Sequence, residues 1–120
     1  MPGASHRDLS GVALDIVRAG KGRIKRVVYQ PGFRWSTNMK AEVGTELCMH
    51  VHVGFLARGC IGVRYADGCT AEFTAPQVVV IDPGHDGWVV GDEVAVLIEI
   101  DFEGQTAATL GLPESHRHQP

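Results

Sequence analysis

The sequence predicts an all-β fold, a sandwich or a barrel, and three observations carry the prediction. About nine short runs rich in valine, isoleucine and aromatic residues succeed one another along the chain. Glycine-containing turns separate them, drawn from 15 glycines in 120 residues. Apolar residues at helical spacing are almost absent, apart from a single turn near the C-terminus. A chain of this length builds one core and is too short for two ordinary domains.

Residues 1–10 are small and polar and read as an N-terminal extension, ordered only where a neighbour holds them. Runs at 12–17 and 23–29 flank Gly20, Lys21 and Gly22 and predict a first hairpin. Gln30, Pro31 and Gly32 end it. Phe33, Arg34 and Trp35 then lead into a polar turn at Ser36, Thr37 and Asn38, which predicts a short strand or loop flanked by aromatics. Segment 45–57 is apolar on at least one face throughout, with Gly54 marking a bulge or tight bend. Strands follow at 60–65 and 69–74 around Asp67-Gly68, a strong hairpin signal because the glycine accepts the positive φ of a tight turn. Run 77–81 is nearly all valine and isoleucine and is predicted to be buried on both sides. After a sharp turn at 82–87, residues 88–90 resume an extended course, and Gly91, Asp92 and Glu93 turn into a last strand at 94–102. Residues 106–112 predict one helical turn, while 114–120, with His116 and His118, read as a loose surface tail. The barrel is therefore expected over 11–104 and a C-terminal tail over 105–120.

Composition excludes several function classes. With 44% hydrophobic and 21% charged residues the chain has the make-up of a globular protein, and no apolar run approaches the roughly 20 residues that cross a bilayer. The first residues lack the basic and then apolar segments of a secretory signal, so a cytoplasmic location is expected. A net charge of -3 gives no footprint for nucleic acid. The one basic cluster, Lys21, Arg23, Lys25 and Arg26, reads as a solvated edge strand. Three cysteines, odd in number and without CxxC spacing, suggest reduced thiols rather than a disulfide framework or zinc finger.

The chemistry concentrates in 46–52, Glu-Leu-Cys-Met-His-Val-His. In an extended strand Glu46, Cys48, His50 and His52 share one face, and Leu47, Met49, Val51 and Val53 the other. A thiolate, imidazoles and one carboxylate suit zinc or another borderline divalent ion. Burying Glu46 among polar neighbours without a cation would cost several kcal/mol, on the order of the penalty for an unpaired charge. The plainer alternative makes Cys48 a small buried hydrophobe and the histidines hydrogen-bonded core residues. Cys60 and Cys69 read as packing residues, and Asp86, Asp92 and Glu93 as acids that close turns. Trp88 reads as core, and Trp35, beside Arg34, as core or as the mouth of a ligand-binding barrel.

Two segments resemble the cupin superfamily of small jelly-roll barrels: 44–59, GTELCMHVHVGFLARG, and 81–90, IDPGHDGWVV. The chain is especially similar to short single-domain cupins of unassigned activity, through Pro31-Gly32-Phe33-Arg34-Trp35-Ser36, the run from Cys48 to Gly54, and the run from Pro83 to Glu93. The resemblance implies a single-domain cupin jelly-roll barrel. The first cupin motif fits in two registers. With Gly44 as its opening glycine, His50 and His52 are the motif histidines and no glutamate follows at the usual distance. With Gly59 as its closing glycine, Glu46 and Cys48 stand at the histidine positions and His52 at the glutamate position. The second register is preferred, because it makes 55–59 the strand that normally follows. In the second motif the usual metal-binding histidine falls at Gly87, and His85 is the substitute on the same face.

The implied site is therefore altered, with Glu46, Cys48, His52 and His85 as metal ligands, zinc as the ion, and His50 or His85 moving protons. Isomerase, cyclase or lyase chemistry on a small organic molecule is expected, with a non-catalytic ligand-binding or sensing module as the alternative. The odd positions Leu47, Met49, Val51 and Val53 need cover, and cupins of this kind commonly pair, so a homodimer is expected.

Overall fold

The computed structural model describes residues 4–103 and 105–113. Its strands are β1 (Ser5–Leu9), β2 (Val12–Ala19), β3 (Gly22–Tyr29), β4 (His52–Arg58), β5 (Cys60–Tyr65), β6 (Thr70–Thr74), β7 (Gln77–Ile81), β8 (His85–Val89) and β9 (Ala95–Asp101). Single-turn helices α1 (Trp35–Asn38) and α2 (Lys40–Val43) lie between β3 and β4, and α3 (Thr106–Leu110) follows β9. All pairings are antiparallel. A six-stranded sheet has the order β1-β2-β3-β9-β4-β7, and a three-stranded sheet the order β6-β5-β8. No helix among the described residues is long and apolar enough to cross a membrane.

The core lies between the sheets. Leu56, Val79, Ile81 and Leu97 from the large sheet, all at most 1% exposed, meet Ile61, Val63 and Tyr65 from the small one. Burying side chains of this size gives about 1.5–3 kcal/mol each, so these positions hold the layers together. Gly54 belongs to the same arrangement. A Cβ there would sit 1.9 Å from the Ile98 carbonyl oxygen, so only glycine lets β4 approach β9 this closely. The register between β4 and β9 slips just beyond, between Leu56 and Arg58.

Several expectations need correction. Ser5–Leu9 forms a full edge strand on β2, so the sheet begins before residue 11. Run 33–38 contains a helical turn where a short strand or loop was expected: Trp35 is buried, and Asp86 accepts hydrogen bonds from the Ser36 backbone N–H and hydroxyl, which fastens α1 to β8. β7 is an edge strand with Val78 and Val80 exposed, not a doubly buried one, because only its inward residues Val79 and Ile81 face the core. The basic cluster is not on an edge either. β3 lies between β2 and β9, and its Arg23 and Lys25 turn inward. The tail at 114–120, with His116 and His118, lies outside the described residues.

Candidate metal centre and ligand cavity

The segment before β4 is irregular, not a strand running from Thr45, and this decides which side chains meet. Residues 44–47 form a turn and bends. Glu46 points to solvent, its side chain 89% exposed and paired with Lys40 at 2.7 Å. It takes no part in the buried site, because the alternation assumed for 46–52 requires an extended chain that begins only at His52.

Cys48 is brought in another way. Its backbone N–H donates to the His85 carbonyl at 2.7 Å and its carbonyl accepts from the His85 N–H at 3.1 Å, a two-residue antiparallel bridge to the start of β8. His52 arrives at the start of β4. The Cys48 thiol and one nitrogen each of His52 and His85 all lie within 4.8 Å of one another. The imidazole centroids of His52 and His85 are 5.1 Å apart. Cys48 and His85 are buried, and the His52 side chain is 12% exposed.

The second nitrogen of each histidine is already committed. His85 Nδ1 lies 2.8 Å from the Asp82 carbonyl oxygen, which can only accept, so Nδ1 is the donor there and Nε2 is the nitrogen left to face Cys48. His52 Nδ1 lies 2.7 Å from Glu99 Oε2. A carboxylate or carbonyl that takes one ring N–H is the usual support for a metal-binding histidine, because it fixes the tautomer that offers the other nitrogen.

Glu99 stands at the centre of a buried charge network that the sequence reading missed. It is 1% exposed, and its Oε1 contacts His50 Nε2 at 3.0 Å and Lys25 Nζ at 2.9 Å. Lys25 Nζ also lies 3.0 Å from Asp101 Oδ2, and Arg23 grips Asp101 with two bonds of 2.7 and 2.8 Å. β3 and β9 place these groups directly opposite one another, Lys25 across from Glu99 and Arg23 across from Asp101. Two acids and two bases at matching spacing of two was the signal in the sequence that would have found them. Buried charges survive only with such partners.

Protonation follows from these contacts. Burial pushes the Cys48 thiol up, but hydrogen bonds from His52 and His85 overcome it and hold the thiol at about 5. Burial pulls His52 down, but the Glu99 charge and the Cys48 contact raise it to about 10. Without a metal the pair is therefore thiolate and imidazolium. Burial alone would raise Glu99, yet His52, His50 and Lys25 keep it well below the usual carboxylate range. Asp101 is likewise lowered, its burial outweighed by Arg23 and Lys25.

The trio opens onto a half-open cavity, about 490 Å³ of empty space when the solvent at its mouth is included. Tyr29, Phe33, Trp35 and Trp88 supply aromatic walls, and Ile61, Val63, Ile81, Val89 and Leu97 aliphatic ones. Trp88, expected in the core, is a wall residue, and its indole packs against Gly62, where a Cβ would stand 2.5 Å from the ring. Arg34 stacks on Trp88 at 4.6 Å and also reaches Asp86. His50 does not line the cavity. It sits behind Glu99, its side chain 30% exposed.

The residues present fit a borderline divalent ion. A thiolate and two imidazole nitrogens match the donor set that zinc takes, with each Nδ1 engaged elsewhere and Nε2 left for the ion once His52 gives up its proton. The neighbouring trio of His50, His52 and Glu99 also converges, but Lys25 already occupies the same carboxylate oxygen with a positive charge, so a cation fits there poorly.

Comparison with solved structures places the architecture. A cupin-like protein from Thermotoga maritima is 19% identical, with a TM-score of 0.55 over 77% of this chain and 68% of that one. The cupin domain of Cnp3 from Schizosaccharomyces pombe is 11% identical, with a TM-score of 0.57 over 93% and 78% of the two chains. KdgF from a Halomonas species is 17% identical, with a TM-score of 0.54 over 80% and 83%. No protein-family model matches the sequence, and a search of curated proteins returns no significant match. The chain has the cupin jelly-roll fold, with a cluster of side chains inside it that could hold a metal ion.

Proposed function

We propose that this cupin holds a zinc ion through Cys48, His52 and His85 and acts on a small organic molecule bound in the barrel. The observation that carries the reading is the commitment of both histidine Nδ1 atoms, to Glu99 and to the Asp82 carbonyl, which leaves Nε2 as the ligating atom of each. Three protein ligands leave one tetrahedral position for water or substrate, as catalytic zinc sites do. Zinc would supply Lewis-acid polarisation of a carbonyl or hydroxyl oxygen, which suits isomerase, cyclase or lyase chemistry.

The chain's own residues would divide the remaining work. Glu99 orients His52 and balances its charge, and His50, on the other Glu99 oxygen and partly exposed, is the group placed to pass a proton to solvent. One observation favours a second reading, a non-catalytic binding or sensing module. Apart from the Tyr29 hydroxyl, every cavity group that titrates is one of the three candidate ligands. The free thiols support a reducing, cytoplasmic setting. A homodimer would cover the outer face of the large sheet, where Phe55, Val78, Val80 and Ile100 are exposed. Of the four odd positions expected there, Met49 is exposed but Val51 is buried.

Metal analysis of protein purified without an affinity tag tests the proposal. About one equivalent of zinc per chain is expected, lost in Cys48→Ala and in His52→Ala. Less than a few tenths of an equivalent, about the level of contamination, and unchanged by either substitution, would overturn it.

A further inference from the structure

The cavity wall narrows the ligand class of this same site. No lining residue is an amide, a carboxylate, a lysine, an arginine, a serine or a threonine. Besides the three candidate ligands at one end, the polar atoms available from side chains are the Tyr29 hydroxyl and the two indole N–H groups. Arg34, which stacks on the wall residue Trp88, is already engaged by that ring and by Asp86, whose other bonds hold α1. Away from the end formed by Cys48, His52 and His85, no charged side chain among the described residues lines the cavity.

We infer that the ligand is a neutral, ring-sized, mainly apolar molecule carrying a single oxygen donor, such as a phenol or a cyclic ketone, and not a sugar or sugar acid. Its ring lies against the aromatic walls, and its oxygen points to the end of the cavity formed by Cys48, His52 and His85. A sugar would bury several hydroxyls against valine, isoleucine and leucine. Each hydroxyl left without a partner costs about ten- to a hundredfold in affinity. The large neutral rings of Tyr29, Phe33, Trp35 and Trp88 instead match a planar apolar body.

Gly87 gives a means of testing the cavity apart from the ligands. It lines the wall on the same strand face as His85, it pairs with Val63, and a Cβ there would meet nothing nearer than 3.6 Å. A Cβ at this position therefore fits without a backbone clash, and the side chain beyond it enters the cavity that Gly87 lines.

The inference rests on the metal reading only for the oxygen end, and the experiment separates the two. Binding of 4-methylphenol and cyclohexanone, against glucose and galacturonate, is measured by quenching of Trp35 and Trp88 fluorescence and by calorimetry, on zinc-loaded wild type and on Gly87→Leu. The expected result is saturable binding of 4-methylphenol at least about tenfold tighter than of either sugar. In Gly87→Leu that binding is lost while the zinc content is unchanged. Tighter binding of galacturonate or glucose, or phenol binding that Gly87→Leu leaves intact, overturns the ligand class. A chain that takes up no zinc yet binds 4-methylphenol in a Gly87-dependent way overturns the metal reading and upholds the ligand class.

Discussion

Replacing Glu99 with glutamine is the most informative single change to the buried network. The side chain keeps its shape but loses its charge, while His52 at 2.7 Å, Lys25 at 2.9 Å and His50 at 3.0 Å all remain. Removing one partner of a buried ion pair costs about 3–5 kcal/mol. Lys25 keeps Asp101 at 3.0 Å, which moderates the loss toward about 3 kcal/mol. For a domain of this size that lowers the unfolding midpoint by roughly 10 °C or somewhat more. The second consequence is specific to the site. An amide cannot draw the Nδ1 proton of His52 as a carboxylate does, so zinc affinity should fall about 10- to 100-fold. Competition with a chromophoric chelator reads the affinity, and thermal unfolding of the metal-free protein reads the stability. A stability loss with zinc affinity unchanged within about twofold would refute the positioning role and reduce Glu99 to a partner of Lys25.

Other perturbations follow from the same geometry. Leu56→Ala empties a position with no exposed surface and should cost about 2–5 kcal/mol in chemical denaturation; a cost below about 1 kcal/mol would show that the sheets do not pack there as described. Gly54→Ala should destabilise comparably or fail to fold, since its methyl would meet the Ile98 carbonyl, and a variant as stable as wild type would contradict the close approach of β4 and β9. Acid should weaken the fold. Glu99 and Asp101 have folded-state values below their ordinary ones, so their contribution is complete above about pH 4.5 and is lost as the pH falls through the carboxylate range. Unfolding free energy that stays level from pH 5 to about 3 would contradict this. Phe55→Asp, on the exposed face of β4, should yield a monomer by light scattering where the wild type is a dimer, and a monomeric wild type would remove the dimer altogether.

Much of the fold was legible because β-strands announce themselves by alternation. The β5–β6 hairpin was marked by Asp67-Gly68, and the β2–β3 hairpin by its glycines, so these pairs came through, while the edge strand β1 did not. The helical turns at 35–43 were not legible, because four residues carry no period and α1 is held by Asp86 from a strand fifty residues away. At the site, Cys48 and His52 were singled out by residue type and His85 through the resemblance of 81–90 to the second cupin motif, and the structure sets the three side chains within reach of one another. Glu46 misled because parity holds only within extended backbone, and the chain bends before Cys48. Glu99 escaped because β9 is apolar on both faces, so its inward side could be identified only from the partner strand carrying Lys25 and Arg23.

The most direct test of the metal centre is the absorption spectrum of the cobalt-substituted protein. If Cys48 and the two histidines bind the ion, cobalt gives the intense visible bands of a tetrahedral site together with a near-ultraviolet thiolate-to-cobalt charge-transfer band. That band should vanish in Cys48→Ala and persist in Glu46→Gln, whose side chain lies in solvent on Lys40. A cobalt spectrum without the thiolate band, or one that Glu46→Gln alters and Cys48→Ala does not, would contradict the assignment.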